Sequence, residues 1–83
     1  MNEIEVRVAR CFANVFPGLA PDDISSAGAS SLAAWDSIAH IRLLSAVAEE
    51  FGLELEMEDF DELVTYPLIV DYVNGKAGLD GKN

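Results

Sequence analysis

The 83-residue chain is 51% hydrophobic and has a formal net charge of −10, because it contains 15 acidic and only 5 basic residues. This length and apolar content predict one small globular domain and exclude a disordered chain. The acidic excess argues against nucleic acid and anionic membranes as partners, and one cysteine with one histidine cannot supply a disulfide framework or an ordinary structural zinc site.

The N-terminal residues have no basic start followed by an apolar run, so they do not form a signal-peptide pattern. No stretch approaches the ~18 consecutive apolar residues of a membrane span. We therefore expect a cytoplasmic domain with no membrane span. The large net charge opposes self-association, which favours a monomer.

The first segment predicts a helix that ends at Pro17-Gly18, where both residue types interrupt helices. Its apolar residues recur with the period of one helix face. Cys11 lies on that face, which indicates a buried structural thiol. The face consists of Ile4, Val8, Cys11, Phe12 and Val15.

A long connection follows, from Pro17 to Asp36. A loop of about 20 residues is unusual in so small a domain and counts against a simple up-and-down bundle. We expect a packed loop that presents its far end for function. Its apolar anchors are Leu19, Ile24, Leu32 and Trp35.

The most apolar helix is predicted from its N-cap Asp36 to its C-cap Gly52. We expect this helix to be central. Glu54 to Met57 alternates acidic and apolar residues but is too short to predict a strand. The predicted apolar stripe of the helix contains Ile38, Ile41, Leu44, Ala48 and Phe51, widened by Leu43 and Val47.

Glu58 to Val64 predicts one or two helical turns, and Thr65 is placed to cap a last helix with Pro67 in its first turn. Asn74-Gly75 is expected to end that helix. The predicted buried side of the last helix is Leu68, Ile69, Tyr72 and Val73.

Together these elements predict an all-α fold, a small bundle of three main helices plus one short helix with a long first loop. Residues 1–75 form the predicted domain. Residues 76–83, with their glycines and lysines, form a predicted flexible C-terminal tail.

The chemistry-bearing residues are Asp36 and Ser37, at the predicted start of the second helix. The N–H groups and dipole of a helix N-terminus favour a phosphate on Ser37. The adjacent carboxylate repels that phosphate unless a divalent cation bridges them. This pair therefore indicates a substrate of a magnesium-dependent enzyme that attaches a phosphate-containing group to Ser37. The alternative is that Asp36 simply caps the helix.

The sequence resembles the acyl carrier protein family over all but its start and tail. Asp36-Ser37-Ile38 is similar to the family's Asp-Ser-Leu motif, and Glu49-Glu50-Phe51 ends the next helix at the expected distance. The acidic segment Glu54 to Leu63 resembles the region of the family's short third helix. Thr65 and Asp71 to Gly75 resemble its closing helix.

The resemblance implies a carrier without catalytic residues, which holds an acyl or aminoacyl group as a thioester on a 4′-phosphopantetheine arm. Coenzyme A supplies the arm, Ser37 accepts it, and Asp36 positions magnesium during attachment. The implied partners are a phosphopantetheinyl transferase and the acyl-loading and acyl-processing enzymes of a lipid, polyketide or related pathway, such as fatty acid biosynthesis.

The predicted docking residues depart from those of housekeeping carriers, which tend to be acidic on the second helix. Here that helix carries His40 and Arg42, while eight acids and no base occupy positions 49–62. Such a charge pattern favours a specialised carrier. The predicted docking residues are Ile38, His40, Ile41, Arg42 and Glu49.

Several alternatives start from the same residues. Ser37 has no nucleophile-elbow motif, so a hydrolase is disfavoured, and His40 is expected to be exposed to partners. A further hypothesis places protonated His40 near the arm's phosphate. The acidic residues between Glu54 and Thr65 lack the spacing of an EF-hand, so no dedicated metal site is expected.

A different class of function is also open. In this alternative the chain is an acidic helical adaptor for a basic protein, which needs no modification of Ser37.

Overall fold

The structure is a computed structural model that describes residues 2–81, including the side chains of residues 2–76. Within that range lie four α-helices and a short 3-10 helix in the first loop, as the all-α prediction requires. None of the described helices is long and apolar enough to cross a membrane. The helices are α1 (Glu3–Val15), α2 (Ser37–Phe51), α3 (Met57–Glu62) and α4 (Tyr66–Gly81), and the 3-10 helix is Pro21–Ser26.

Helix α1 begins with a reciprocal cap between Asn2 and Glu5. The Glu5 N–H donates to the Asn2 side chain over 2.8 Å, and the Asn2 N–H donates to the Glu5 carboxylate over 2.9 Å. This exchange satisfies N–H groups that have no partner within the helix. The predicted apolar face is confirmed at its centre, because Val8, Cys11 and Phe12 are buried.

The long first loop is packed, as predicted. Ile24 and Trp35 are buried, whereas Leu19 and Leu32 lie partly buried against the core. Gly28 and Thr65 form an antiparallel bridge, which the sequence did not indicate. This backbone pairing attaches the loop to the segment that joins α3 and α4.

Helix α2 has the predicted ends. Asp36 is its N-cap and Gly52 its C-cap, with a left-handed φ of 66° that suits glycine. The predicted stripe is wrong at its N-terminal end, since Ile38 is 69% and Ile41 is 55% exposed. The buried face is instead formed by Leu43, Leu44 and Val47.

Helix α4 begins as predicted, with the Leu68 N–H donating to the Thr65 hydroxyl over 3.2 Å. The prediction that Asn74-Gly75 ends it is wrong, because the helix continues to Gly81. Gly75 does not have the positive φ of a C-cap glycine, so it does not interrupt the helix. The 1–75 domain boundary and the flexibility of the tail stay predictions, and Lys82 and Asn83 lie outside the described residues.

The buried side of α4 differs from the prediction at Leu68 and Val70. Leu68 is 44% exposed, and Val70 is buried together with Ile69 and Val73. Tyr72 is half buried.

The core lies between α1, α2 and α4 and is rich in aromatic rings. Phe12 packs edge-on against Trp35 and Tyr66, with both centroid distances at 5.4 Å. The Tyr66 hydroxyl donates to the Glu5 carbonyl over 2.9 Å, which joins α4 to α1. Burial raises the pKa of the Tyr66 phenol, with a further contribution from the nearby Glu5 carboxylate.

The thiol of Cys11 belongs to this core. It is buried as predicted, and burial raises its pKa, with the Glu50 carboxylate contributing in the same direction. A thiol with a raised pKa is mostly protonated near neutral pH and therefore a poor nucleophile.

Candidate functional site

Ser37 is the first residue of α2 and is exposed at the end of the packed loop. The preceding residue, Asp36, caps the helix through one carboxylate oxygen, which accepts the Ala39 N–H over 2.9 Å. The buried Trp35 holds the chain just before this pair. The structure thus presents a serine hydroxyl at the start of a 15-residue helix, beside an exposed carboxylate.

The surroundings of Ser37 fit a phosphate ester. The first turn of α2 contains no acidic residue, so its N–H groups and dipole face an added anion without a competing charge inside the turn. At an exposed site this attraction contributes about 0.3–1 kcal/mol. The exposed Asp36 carboxylate beside Ser37 opposes this attraction.

His40 is half buried, so the expectation that it is exposed to partners is wrong. The Trp35 indole N–H donates to its Nδ1 over 2.9 Å, and its Nε2 pairs with the Phe60 carbonyl of α3. Because Nδ1 accepts this hydrogen bond, it carries no hydrogen in the neutral ring, so Nε2 carries the ring N–H and donates a hydrogen bond to the Phe60 carbonyl. Both nitrogens are engaged inside the protein, which leaves neither for a phosphate on Ser37.

The other predicted docking residues are exposed. Ile38, Ile41 and Arg42 lie on the outer surface of α2, and Glu49 lies near its C-terminal end. Met57, at the start of α3, is 88% exposed and was missed by the sequence analysis. The only feature of the sequence that indicates an exposed Met57 is its position as a single apolar residue between two acidic ones.

Ser37 lines a groove of about 460 Å³ between α2 and α3. Apolar side chains provide much of its wall, and the attachment candidate lies at its edge. The lining residues are Ser37, His40, Ile41, Met57, Phe60 and Asp61.

None of the residues of α3 is fully buried, and polar contacts help to hold this helix in place beside the partly buried Phe60. The Asp59 carboxylate accepts the Glu56 N–H over 2.8 Å and the Tyr72 hydroxyl over 3.1 Å. The pKa of Tyr72 is raised, first by burial and then by its hydrogen bond to the Asp59 carboxylate and by nearby negative charge. The Phe60 carbonyl also joins α3 to α2, because it accepts a hydrogen bond from the His40 ring.

The described residues contain no group of three or more His, Cys, Asp or Glu side chains arranged to hold a metal ion. The acids of the predicted acidic segment are spread along α3 and the turn before it. Asp59 is used in the capping and tyrosine contacts described above.

Comparisons with known proteins agree with this geometry. Residues 7–73 match the family model described as "Phosphopantetheine attachment site". The acyl carrier protein of Buchnera aphidicola subsp. Schizaphis graminum (strain Sg) is 26% identical over 76 residues, which cover 92% of this chain and 96% of the relative. No solved structure gives a significant match.

The family model covers most of the chain, including α2 with its N-terminal serine and the α2–α3 groove. Members of this family are carriers rather than catalysts, and they use covalently attached 4′-phosphopantetheine. This favours the carrier over the acidic adaptor. The chain therefore belongs to the phosphopantetheine-binding family of acyl carrier proteins.

Proposed function

We propose that Ser37 is the residue that accepts the 4′-phosphopantetheine arm. The observation that supports this assignment is the exposed position of Ser37 at the N-terminus of α2, directly after the capping Asp36. In the reaction, the Ser37 oxygen forms a bond to the phosphorus next to pantetheine in coenzyme A. Adenosine 3′,5′-bisphosphate leaves, and the hydroxyl proton passes to a base.

The arm's terminal thiol holds the cargo as a thioester. The protein supplies the attachment point and a surface for the enzymes that load and process the acyl group. A flexible arm keeps that group at high local concentration near each docked enzyme. We place this work in the cytoplasm, in a lipid, polyketide or related biosynthetic pathway.

Intact mass tests the assignment. The protein is incubated with coenzyme A, magnesium and a broad-specificity phosphopantetheinyl transferase, next to Ser37→Ala and Ser45→Ala. Ser45 is the matched control, because it is an exposed serine on the same helix. Wild type and Ser45→Ala should gain one phosphopantetheinyl group, and Ser37→Ala should gain none. A gain by Ser37→Ala, or no gain by folded unmodified wild type, contradicts the assignment.

Asp36 is proposed to position magnesium through the carboxylate oxygen that does not cap α2. Asp36→Asn separates this role from capping, since asparagine is an equally good N-cap without the charge. The variant should keep the helical content of wild type and require more magnesium for modification. An unchanged magnesium dependence would show that Asp36 acts only as a cap.

Ile38, Ile41, Arg42 and Glu49 are proposed to contact partner enzymes, with Arg42 supplying a positive charge on an otherwise acidic protein. Arg42→Glu should slow loading by the acyl-loading enzyme of the pathway, and Arg10→Glu, an equal charge change on α1, should not. If both variants slow loading equally, the loading enzyme responds to the net charge of the protein and not to the position of Arg42.

A further inference from the structure

A second, smaller space of about 280 Å³ lies beside this groove and is lined in part by Trp35, His40, Phe60 and Val64. His40 and Phe60 line both spaces, and Trp35 is buried against the core. Three of these side chains form a continuous row, with centroid distances of 5.8 Å from Trp35 to His40 and 6.1 Å from His40 to Phe60. We call this row the Trp35–His40–Phe60 barrier.

Hydrogen bonds fix the middle of the barrier. His40 accepts the Trp35 indole N–H and donates to the Phe60 carbonyl, so its ring cannot turn aside without breaking both bonds. Trp35 is only 4% exposed, and its N–H would then be left buried without a partner. Such an unpaired buried donor is costly, which makes the closed arrangement the stable one.

The space behind the barrier is occupied. Phe12 lies edge-on against Trp35 at 5.4 Å, and Leu43 and Leu44 are fully buried. An acyl chain could enter this region only by displacing packed side chains, because protein interiors are close-packed.

We propose that this carrier takes a short acyl group, which stays in the surface groove between α2 and α3, and that His40 is the residue that excludes longer chains from the bundle. The proposal rests on attachment at Ser37. The groove itself offers apolar contact from Ile41, Met57 and Phe60, enough for the end of a short chain. A longer chain has no place inward and must extend into water, where its apolar surface stays exposed.

The test attaches acyl chains of increasing length to the protein. Butyryl-, octanoyl- and dodecanoyl-coenzyme A are used with the transferase to attach the acylated arm, and intact mass verifies each product. Amide NMR spectra and urea unfolding are then compared with those of the arm without an acyl group. In wild type, shifts should be confined to groove residues such as Ile41, Met57 and Asp61, and the urea midpoint should not rise with chain length.

Two variants open the barrier from different sides. His40→Ala removes its centre, and Phe60→Ala removes the ring contributed by α3 while keeping the hydrogen bond between Trp35 and His40. With the dodecanoyl chain, both should show shifted amides at Leu43, Leu44 and Ile69 and a higher urea midpoint than with the butyryl chain. Ser45→Ala, on the same helix but outside the groove, should behave as wild type.

The outcomes separate the two proposals. If mass shows no attachment at Ser37, the proposed function fails and this inference fails with it. If attachment occurs and the dodecanoyl chain shifts the core amides of wild type, only the short-chain inference is overturned. If neither barrier variant admits the longer chain although at least one is folded, His40 does not control chain length.

Discussion

The two sides of α2 are stabilised in different ways. Toward α1 and α4 it contributes Leu43, Leu44 and Val47 to a buried apolar core. Toward α3 it contributes His40, whose ring donates a hydrogen bond to the Phe60 carbonyl, and α3 is joined in turn to α4 by the hydrogen bond from Tyr72 to Asp59. Apolar burial is non-directional, so it stabilises the whole core together. A few directional hydrogen bonds instead hold α3 in one position, and α3 can separate locally when they break. The candidate site lies on the second side.

The largest expected effect is in the core. Phe12→Ala removes a fully buried ring that contacts both Trp35 and Tyr66. Such truncations cost about 3–5 kcal/mol, which equals the entire net stability expected of a core this small, about 3–5 kcal/mol. Urea unfolding followed by circular dichroism should find Phe12→Ala largely unfolded without denaturant. Met57→Ala, at an exposed position, should stay within about 0.5 kcal/mol of wild type.

An intermediate effect is expected on the α3 side. His40→Ala breaks two hydrogen bonds and leaves the buried Trp35 N–H unpaired, at a cost of about 1–3 kcal/mol. Amide hydrogen exchange should accelerate in α3 much more than at Leu43 and Leu44. Equal acceleration in both regions would mean that α3 and the core unfold as one unit, which would contradict separate stabilisation of the two sides of α2.

A smaller effect is expected at Tyr72. Tyr72→Phe removes the hydrogen bond to Asp59, worth about 1 kcal/mol at neutral pH. Because the folded protein raises the Tyr72 pKa above the ordinary 10.0, this contribution is present below pH 10 and is lost as pH rises through the folded pKa. Urea midpoints should therefore fall above pH 10 in wild type, and fall less in Tyr72→Phe. A parallel fall in both would exclude Tyr72 as a source of the alkaline loss.

The smallest effect is expected at the ion pair between α1 and α2. Arg7 contacts the Glu50 carboxylate at 2.7 Å and lies over the Phe51 ring at 4.4 Å. Arg7→Met keeps apolar packing but loses the charge, at a cost of about 0.2–1 kcal/mol that should shrink with added salt. Arg10→Met is the control on the same helix. If the loss of stability in Arg7→Met is unaffected by salt, it arises from packing rather than from charge.

The sequence could predict features that depend on neighbouring residues. Asp36 and Gly52 mark the ends of α2 because capping is local chemistry, and the position of Ser37 follows from it. The packing of Ile24 and Trp35 was likewise indicated by isolated apolar residues in a polar loop.

Features set by distant contacts could not be predicted. The environment of His40 depends on Phe60, 20 residues away on another helix. The first half of α4 is apolar on several sides, so its sequence does not decide between Leu68 and Val70 as the buried residue. That choice is made by the core residues of α1, α2 and the first loop against which α4 packs. Residue type alone predicts a helix end at Gly75, but a C-cap glycine also needs a left-handed backbone, which Gly75 does not have.

The Gly28–Thr65 bridge has a mechanical consequence for the attachment helix. The Ala29 N–H donates to the Val64 carbonyl, and the Tyr66 N–H donates to the Ala27 carbonyl, so the chain from 29 to 64 forms a closed loop that contains α2 and α3. Force applied to a group on Ser37 therefore has two routes into the domain: along the backbone to this pair of hydrogen bonds, and through the buried side chains of α2 to α1 and α4. The attachment helix is restrained by the closed loop as well as by the core.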